Sequence, residues 1–287
     1  MLATAIIVFR EVLEAALIVG IVMAASRGVM RRGWWIGGGI GAGIFGAGVV
    51  AAGAETIAAA AAGIGQEVFN AAILFAAVAM LGWHNVWMTR HGREMTLAAN
   101  RLGAAVRAGT QPLWALAAAV ALAVLREGSE VVLFLYGIAA GGDGAAAMAM
   151  GGALGLFAGV AAGAGLYLGL VRIPLRHLFS VTSWLVLLLA AGMASQAAAF
   201  LLQADLLPPL GTTLWDTSFV LSDQSLVGRV LRTLIGYTAQ PAGIQLVFYL
   251  TTLIVIGSLM RLIGSPPAAA PSRGAPRAGG TQLQPGE

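Results

Sequence analysis

Residues 2–25 read LATAIIVFREVLEAALIVGIVMAA, an apolar run with three charges, Arg10, Glu11 and Glu14, near its middle. A helix crossing a bilayer needs about 20 mostly apolar residues, so the run is long enough to span. It lacks a basic leader and is too long for a cleaved signal core, so it is expected to remain in the working chain. Each charge at mid-membrane costs about 2.5–3.5 kcal/mol on insertion scales, or roughly 7–10 kcal/mol for three. Such a helix inserts only where surrounding protein offsets that cost. The pattern then returns. Phe9-Arg10-Glu11-Val12-Leu13-Glu14 is matched by Leu125-Arg126-Glu127-Gly128-Ser129-Glu130, 116 positions further on.

Composition places both motifs inside a membrane protein. Of the 287 residues 59% are apolar and only 10% charged, and mean hydropathy is +0.88. A soluble domain carries about 25% charged residues, so this chain cannot cover a water-facing surface. Disordered and fibrous classes are excluded with it, and the absence of cysteine excludes a disulfide scaffold. The net charge of +4 is spread over short loops, a distribution that predicts no nucleic-acid partner. All sixteen basic residues are arginine. With the heavy use of Ala and Gly, this suggests a GC-rich bacterial genome.

Seven stretches have the length of spans: roughly 2–25, 34–54, 68–88, 113–138, 146–171, 181–202 and 244–263. The expected fold is therefore an all-α integral membrane protein of seven transmembrane helices. Loops after the odd-numbered spans hold twelve arginines, from Arg27 to Arg277. The opposite loops hold only Arg229 and Arg232, together with six acidic residues. Arginine accumulates on the cytoplasmic side, which predicts an outer N-terminus and a cytoplasmic C-terminus.

The motif offset divides the chain into two units, about 1–112 and 113–202. Three spans per unit is an odd number, so the second unit is expected to lie inverted relative to the first, a transporter architecture. An outer loop (203–243), a seventh span (244–263) and a tail (265–287) complete a transmembrane domain of residues 1–264. The loop holds a helix-like stretch, Ser225 to Tyr237, with Leu226, Val230, Leu231, Leu234 and Ile235 at helical spacing. It reads as an amphipathic interfacial helix. The Pro- and Ala-rich tail reads as disordered. Two glycine ladders, Gly33/Gly37/Gly41 and Gly151/Gly155/Gly159/Gly163, predict close helix packing. Gly41-Ala42-Gly43-Ile44-Phe45-Gly46 fits a dinucleotide fingerprint, but it follows no strand and lies within a span.

An α-helix turns about 100° per residue, which puts Arg10, Glu14 and Glu11 near 0°, 40° and 100° on one face. Arg126, Glu130 and Glu127 repeat the arrangement. Arg10 and Glu14 form an i, i+4 pair and alone would make a structural salt bridge. Each motif, however, has two carboxylates for one guanidinium. A buried uncompensated anion takes a proton or binds a cation. An inverted repeat would bring the four carboxylates to one axis, and oxygen ligands suit hard cations. Ligand softness alone leaves iron, manganese, magnesium and calcium open.

Two R-E-x-x-E motifs in spans 1 and 4 of a seven-span chain resemble the Ftr/EfeU-type iron permeases, the oxidase-dependent iron transporters. The resemblance covers about residues 2–263. It includes Trp215-Asp216-Thr217-Ser218, Ser225, Gly228, Gly236-Tyr237 and Pro241 of the outer segment. The family's usual motif is R-E-G-L-E; here Val12 replaces its glycine and Ser129 its leucine. The resemblance implies that Glu11, Glu14, Glu127 and Glu130 are iron ligands, with Arg10 and Arg126 as orienting counter-charges; Ser129, inside the second motif, is a supporting candidate on its position alone. It also implies iron as transported substrate with no permanently bound cofactor, a bacterial cytoplasmic membrane location, and an extracytoplasmic protein that oxidises or delivers iron.

Other polar residues are weaker pathway candidates. Glu55 and Glu67 flank the outer ends of spans 2 and 3, where solvated loop charges are the simpler reading. His84 is expected near the inner end of span 3, as a hydrogen-bonded or interfacial histidine or part of an exit path. Gln196 lies in the outer half of span 6. Asp216 and Asp223 are expected to cap local structure in the outer loop. No enzyme is expected: there is no HExxH motif, and His84 is the one histidine placed within a span. Another divalent-cation transporter or a cation/proton antiporter would use the same carboxylates.

Overall fold

The computed structural model describes residues 1–60, 65–142, 144–169, 175–223 and 225–264, without the side chains at 55, 57–60, 89, 90, 92, 93, 175–178, 226, 229, 233 and 234. Among these residues the chain is helical. The elements are α1 (Leu2–Ala25), α2 (Arg32–Ala60), α3 (Gln66–Arg107), α4 (Trp114–Ala140), α5 (Ala145–Tyr167), α6 (Leu175–Gln203), α7 (Leu226–Ile235) and α8 (Gly243–Gly264). The expected tail, 265–287, lies outside the described residues.

Five helices, α2, the first part of α3, α5, α6 and α8, are long and apolar enough to cross a membrane by composition. The other two long helices, α1 and α4, hold three charges each within comparable lengths. Large apolar side chains such as Phe45, Phe157 and Ile254 stand exposed on α2, α5 and α8. Apolar surface on this scale is covered by lipid in a multi-pass membrane protein.

Packing pairs the helices across the two halves of the chain. Helix α1 runs along α5, α2 along α4, and α3 against α6, with α8 on α3 and α6. The α1–α5 seam depends on the second glycine ladder. A Cβ at Gly155 would stand 2.9 Å from the Phe9 amide nitrogen, and one at Gly159 would stand 2.9 Å from Val12 Cβ. The α2–α4 seam uses different glycines from those expected. Gly33, Gly37 and Gly41 face open space, while Gly39, Gly43 and Gly46 meet Val120, Val124 and Leu125. Successive small residues on both faces of α2 supply two ladders, and the partner helix selects one.

Helix α3 also differs from expectation, because it continues past the apolar span through the arginine-rich segment to Arg107. A hydropathy window ends where charge begins, whereas the helix ends where packing and backbone allow. No proline interrupts it before Pro112. Ala99 and Val106 are buried with Val22 of α1, Ile36 of α2, and Leu116 and Val120 of α4. The amphipathic stretch read from the sequence between α6 and α8 forms α7. Ser225 Oγ caps it by accepting from the Gly228 amide, and Gly236 ends it in the left-handed region at φ 70°.

A second apolar cluster occupies the centre of the bundle, with Ile7, Leu74, Leu81, Phe134, Ile138, Leu187 and Ala190 among its members. It separates the two features that matter for function. One is a cavity of about 860 Å³ on the α7 side, lined by Ala3, Leu74, Ile138, Gln196 and Arg232 among others. The other is a charged centre.

Candidate metal centre

The charged centre is built from three helices. Helix α1 supplies Arg10, Glu11 and Glu14, all at most 3% exposed. Arg10 Nε lies 3.1 Å from Glu14 Oε1, and Arg10 Nη1 lies 3.6 Å from Glu11 Oε1. Helix α4 supplies Arg126, Glu127 and Glu130, where Arg126 Nε donates to Glu130 Oε1 at 3.1 Å and lies 3.8 Å from Glu127 Oε1. Helix α3 supplies His84. Its Nε2 is 3.7 Å from both Glu11 Oε2 and Glu14 Oε2, and its Nδ1 meets Glu130 Oε2.

One ligand atom each from Glu11, His84, Glu127 and Glu130 lies within 4.8 Å of the others. Both oxygens of Glu11 and of Glu127 are buried without a hydrogen-bond partner. Such groups cost several kcal/mol in a low-dielectric interior unless something compensates them. Two guanidinium groups face four carboxylates, so the site is short of positive charge by two when His84 is neutral. Acceptors converging in this way can coordinate a cation.

The two motifs are equivalent in sequence and unequal in their surroundings. The Arg10 side chain is 2% exposed and shut between its own carboxylates. The Arg126 side chain is 29% exposed, lies 4.2 Å over the Trp87 ring, and donates from Nη1 to Met95 Sδ at 3.3 Å. Trp87 also stacks on His91, with centroids 4.7 Å apart. Trp87, His91 and Met95, about one, two and three turns beyond His84 on α3, flank the more open side of the centre.

On the opposite side an apolar layer one turn thick on α1 and α4 and two turns thick on α3 closes the centre off from the cavity. Along α1, Ala3 lines the cavity, Ile7 is fully buried and Glu11 enters the centre. Along α4 the sequence is Ile138, Phe134 and Glu130. Along α3 it is Leu74, Ala77, Leu81 and His84. Steps of three and four residues keep each series on one helix face.

His84 thus belongs to the buried cluster, 3% exposed with a carboxylate beside each ring nitrogen, which agrees with the expected hydrogen-bonded histidine. The usable signal was its spacing. Leu74, Ala77, Leu81 and His84 follow one another at three and four residues, so His84 continues a buried stripe. Ser129 Oγ donates to the carbonyl of Arg126 at 2.8 Å and braces the α4 motif from within its helix. Gln196 Nε2 donates to Gly141 O at 2.5 Å in the cavity wall. Glu67 is exposed in the first turn of α3, and the Glu55 side chain lies outside the described residues. Asp223 accepts from the Ala239 amide at 3.0 Å. Asp216 accepts from the amide and hydroxyl of Ser218 and from Gln240 Nε2. These three bonds hold the Asp216 carboxyl below the usual aspartate range.

Comparison with known proteins follows the same line. A sequence model of the iron permease FTR1 family matches residues 1–265. The ferrous iron permease EfeU of Escherichia coli O6:H1 is 32% identical over 264 residues, covering 87% of this chain and 91% of that protein. Its namesake in Yersinia pestis is 31% identical, covering 87% and 89%. No solved structure matches. A family match across both motif-bearing halves, with relatives aligned over nearly their whole length, assigns the chain: it belongs to the iron permease FTR1 family.

Proposed function

We propose that Glu11, Glu14, Glu127, Glu130 and His84 form the station through which this chain passes iron across the membrane. Membership of an iron permease family makes the chain a transporter of iron and not an enzyme. The supporting observation is the convergence of ligand atoms from Glu11, His84, Glu127 and Glu130 within 4.8 Å, with the Glu11 and Glu127 oxygens uncommitted. A dehydrated cation supplies the positive charge that the two arginines leave short. The relatives are named for ferrous iron, and this form is the proposed substrate.

The pathway runs inward from the α7 side. The chain spans the membrane seven times, counting α1 and α4, with its N-terminus outside and the arginine-rich end of α3 in the cytoplasm. The two three-helix halves are inverted copies; exchanging them turns the α1–α5 seam into the α4–α2 seam, and both seams exist. In a bacterial cytoplasmic membrane the cavity would receive iron from an extracytoplasmic protein that delivers or oxidises it.

Iron uptake by proteoliposomes containing Glu11→Gln or Glu127→Gln tests the reading. Each change keeps side-chain volume and removes one ligand charge. Uptake per folded molecule is expected to fall at least tenfold, and undiminished uptake in both variants would overturn the assignment.

A further inference from the structure

We propose that His84 is a metal donor through Nε2, oriented by Glu130 on its Nδ1 side, and that this nitrogen makes the centre prefer transition-metal ions over calcium and magnesium. The proposal rests on the carboxylate reading above and adds its selectivity. Four carboxylates alone form an all-oxygen site, and such a site suits calcium, magnesium, manganese and iron alike. Imidazole nitrogen changes that ranking, because it binds iron and its neighbours in the transition series and adds little for the alkaline earths.

The geometry separates the two ring nitrogens. Nδ1 meets Glu130 Oε2, while the other oxygen of that carboxylate is held by Arg126 Nε. A carboxylate on one ring nitrogen fixes the tautomer and directs the lone pair of the other toward the metal. With Nδ1–H given to Glu130, the Nε2 lone pair faces the space shared with Glu11 and Glu14, 3.7 Å from an oxygen of each. The edge-to-face contact with Phe134 fixes the ring from a third direction. The four glutamates, equivalent in the sequence motif, thereby divide. Glu11 and Glu127 offer the ion oxygens that accept no hydrogen bond, Glu14 offers Oε2 while its Oε1 lies 3.1 Å from Arg10 Nε, and Glu130, at the edge of the cluster, also positions the imidazole.

The test is competition during iron uptake by proteoliposomes of the full chain. In the unaltered protein a hundredfold excess of calcium is expected to change iron uptake less than twofold. His84→Asn and His84→Asp replace the nitrogen donor with oxygen, and calcium is then expected to inhibit at least tenfold. In equilibrium binding to purified protein, where lost uptake does not hide the result, Glu130→Gln keeps an acceptor for Nδ1–H and is expected to retain the preference for iron over calcium; Glu130→Leu is expected to lose it. A second measurement needs no variant. Manganese bound to the unaltered protein in detergent should show electron spin-echo modulation from an imidazole nitrogen.

Calcium resistance persisting in both His84 variants, or absence of nitrogen modulation, overturns the proposal. Glu127→Gln separates this failure from that of the underlying reading. If Glu127→Gln is inactive while the His84 variants still exclude calcium, only the role of His84 falls. If Glu127→Gln transports iron normally, the carboxylate centre itself is wrong.

Discussion

The rings of Phe134 and His84 meet edge to face at 85°, with centroids 6.5 Å apart. Phe134 therefore touches the charged centre at His84, and Ile138, one turn along α4, lines the cavity. A single apolar layer stands between them, with Ile7 contributed by α1. In this conformation the centre is sealed on its α7 side.

Thiol labelling can read that seal, because the chain has no cysteine of its own. Ile138→Cys is expected to react with a membrane-impermeant reagent applied from outside. Ile7→Cys, fully buried one turn deeper than Ala3, is expected to react at least tenfold more slowly. Combining it with Phe134→Ala should remove most of that difference. Equal labelling of Ile138→Cys and Ile7→Cys in the otherwise unaltered chain would show that the layer does not separate the compartments.

The glycine seams predict opposite outcomes for the same substitution at two positions. Gly155→Ala places a methyl group 2.5 Å from the Ala5 carbonyl oxygen, so two backbones must separate. Overpacking of this kind costs about 1–3 kcal/mol. Gly41→Ala meets nothing within 4 Å and should change stability by less than about 0.5 kcal/mol. Thermal unfolding in detergent compares them, and a stable Gly155→Ala protein would contradict the α1–α5 contact.

Trp87 should support transport through Arg126. Its ring lies 4.2 Å below the guanidinium, a cation–π contact worth about 1–2 kcal/mol where partly desolvated. Trp87→Phe is expected to retain most iron affinity, and Trp87→Ala to lose roughly five- to thirtyfold by the same energy. Equilibrium iron binding by purified protein measures both. Equal loss in the two variants would point to packing volume rather than to the aromatic face.

The segment between α6 and α8 has its own pH signature. Asp216 is fully exposed, and its three hydrogen bonds lower its pKa in the folded chain. Its contribution to loop order is therefore complete above the ordinary aspartate value of about 3.9 and disappears as pH falls through the lower folded value. Fluorescence of the neighbouring Trp215 should report a transition with a midpoint below about 3.9. Asp216→Asn should abolish that transition. A midpoint at or above the ordinary value would mean the three bonds are not maintained in solution.

Hydropathy sufficed to locate the long helices, because membrane insertion is a local property of some twenty residues. The paired motifs were equally visible, since three charges in an apolar run stand out without any partner. His84 was harder to place. Its importance depends on which face of α3 turns toward α1 and α4, and a lone histidine beside Asn85 and Trp87 carries no charge pattern to reveal that. The choice between Gly37/Gly41 and Gly39/Gly43 failed for the same reason, as both ladders satisfy the local rule. The length of α3 was hidden because its second half is held by four separate side chains from α1, α2 and α4. Local composition specifies the pieces, and the register between pieces belongs to the assembled bundle.

The crossed pairing of α1 with α5 and α2 with α4 also constrains how the protein is made. Helix α1 emerges from the ribosome before α5, bearing three charges that it cannot neutralise alone. Its seam partner begins at Ala145, and at about 5–20 residues per second it arrives roughly six to twenty-four seconds later. During that interval the charged helix must be sheltered by the insertion machinery or remain at the membrane surface. Neither half can mature as an independent fragment, because each holds the other's packing surface. Synthesis of this chain is therefore a commitment to its full length, and a ribosome that stalls before α5 leaves a substrate for membrane quality control.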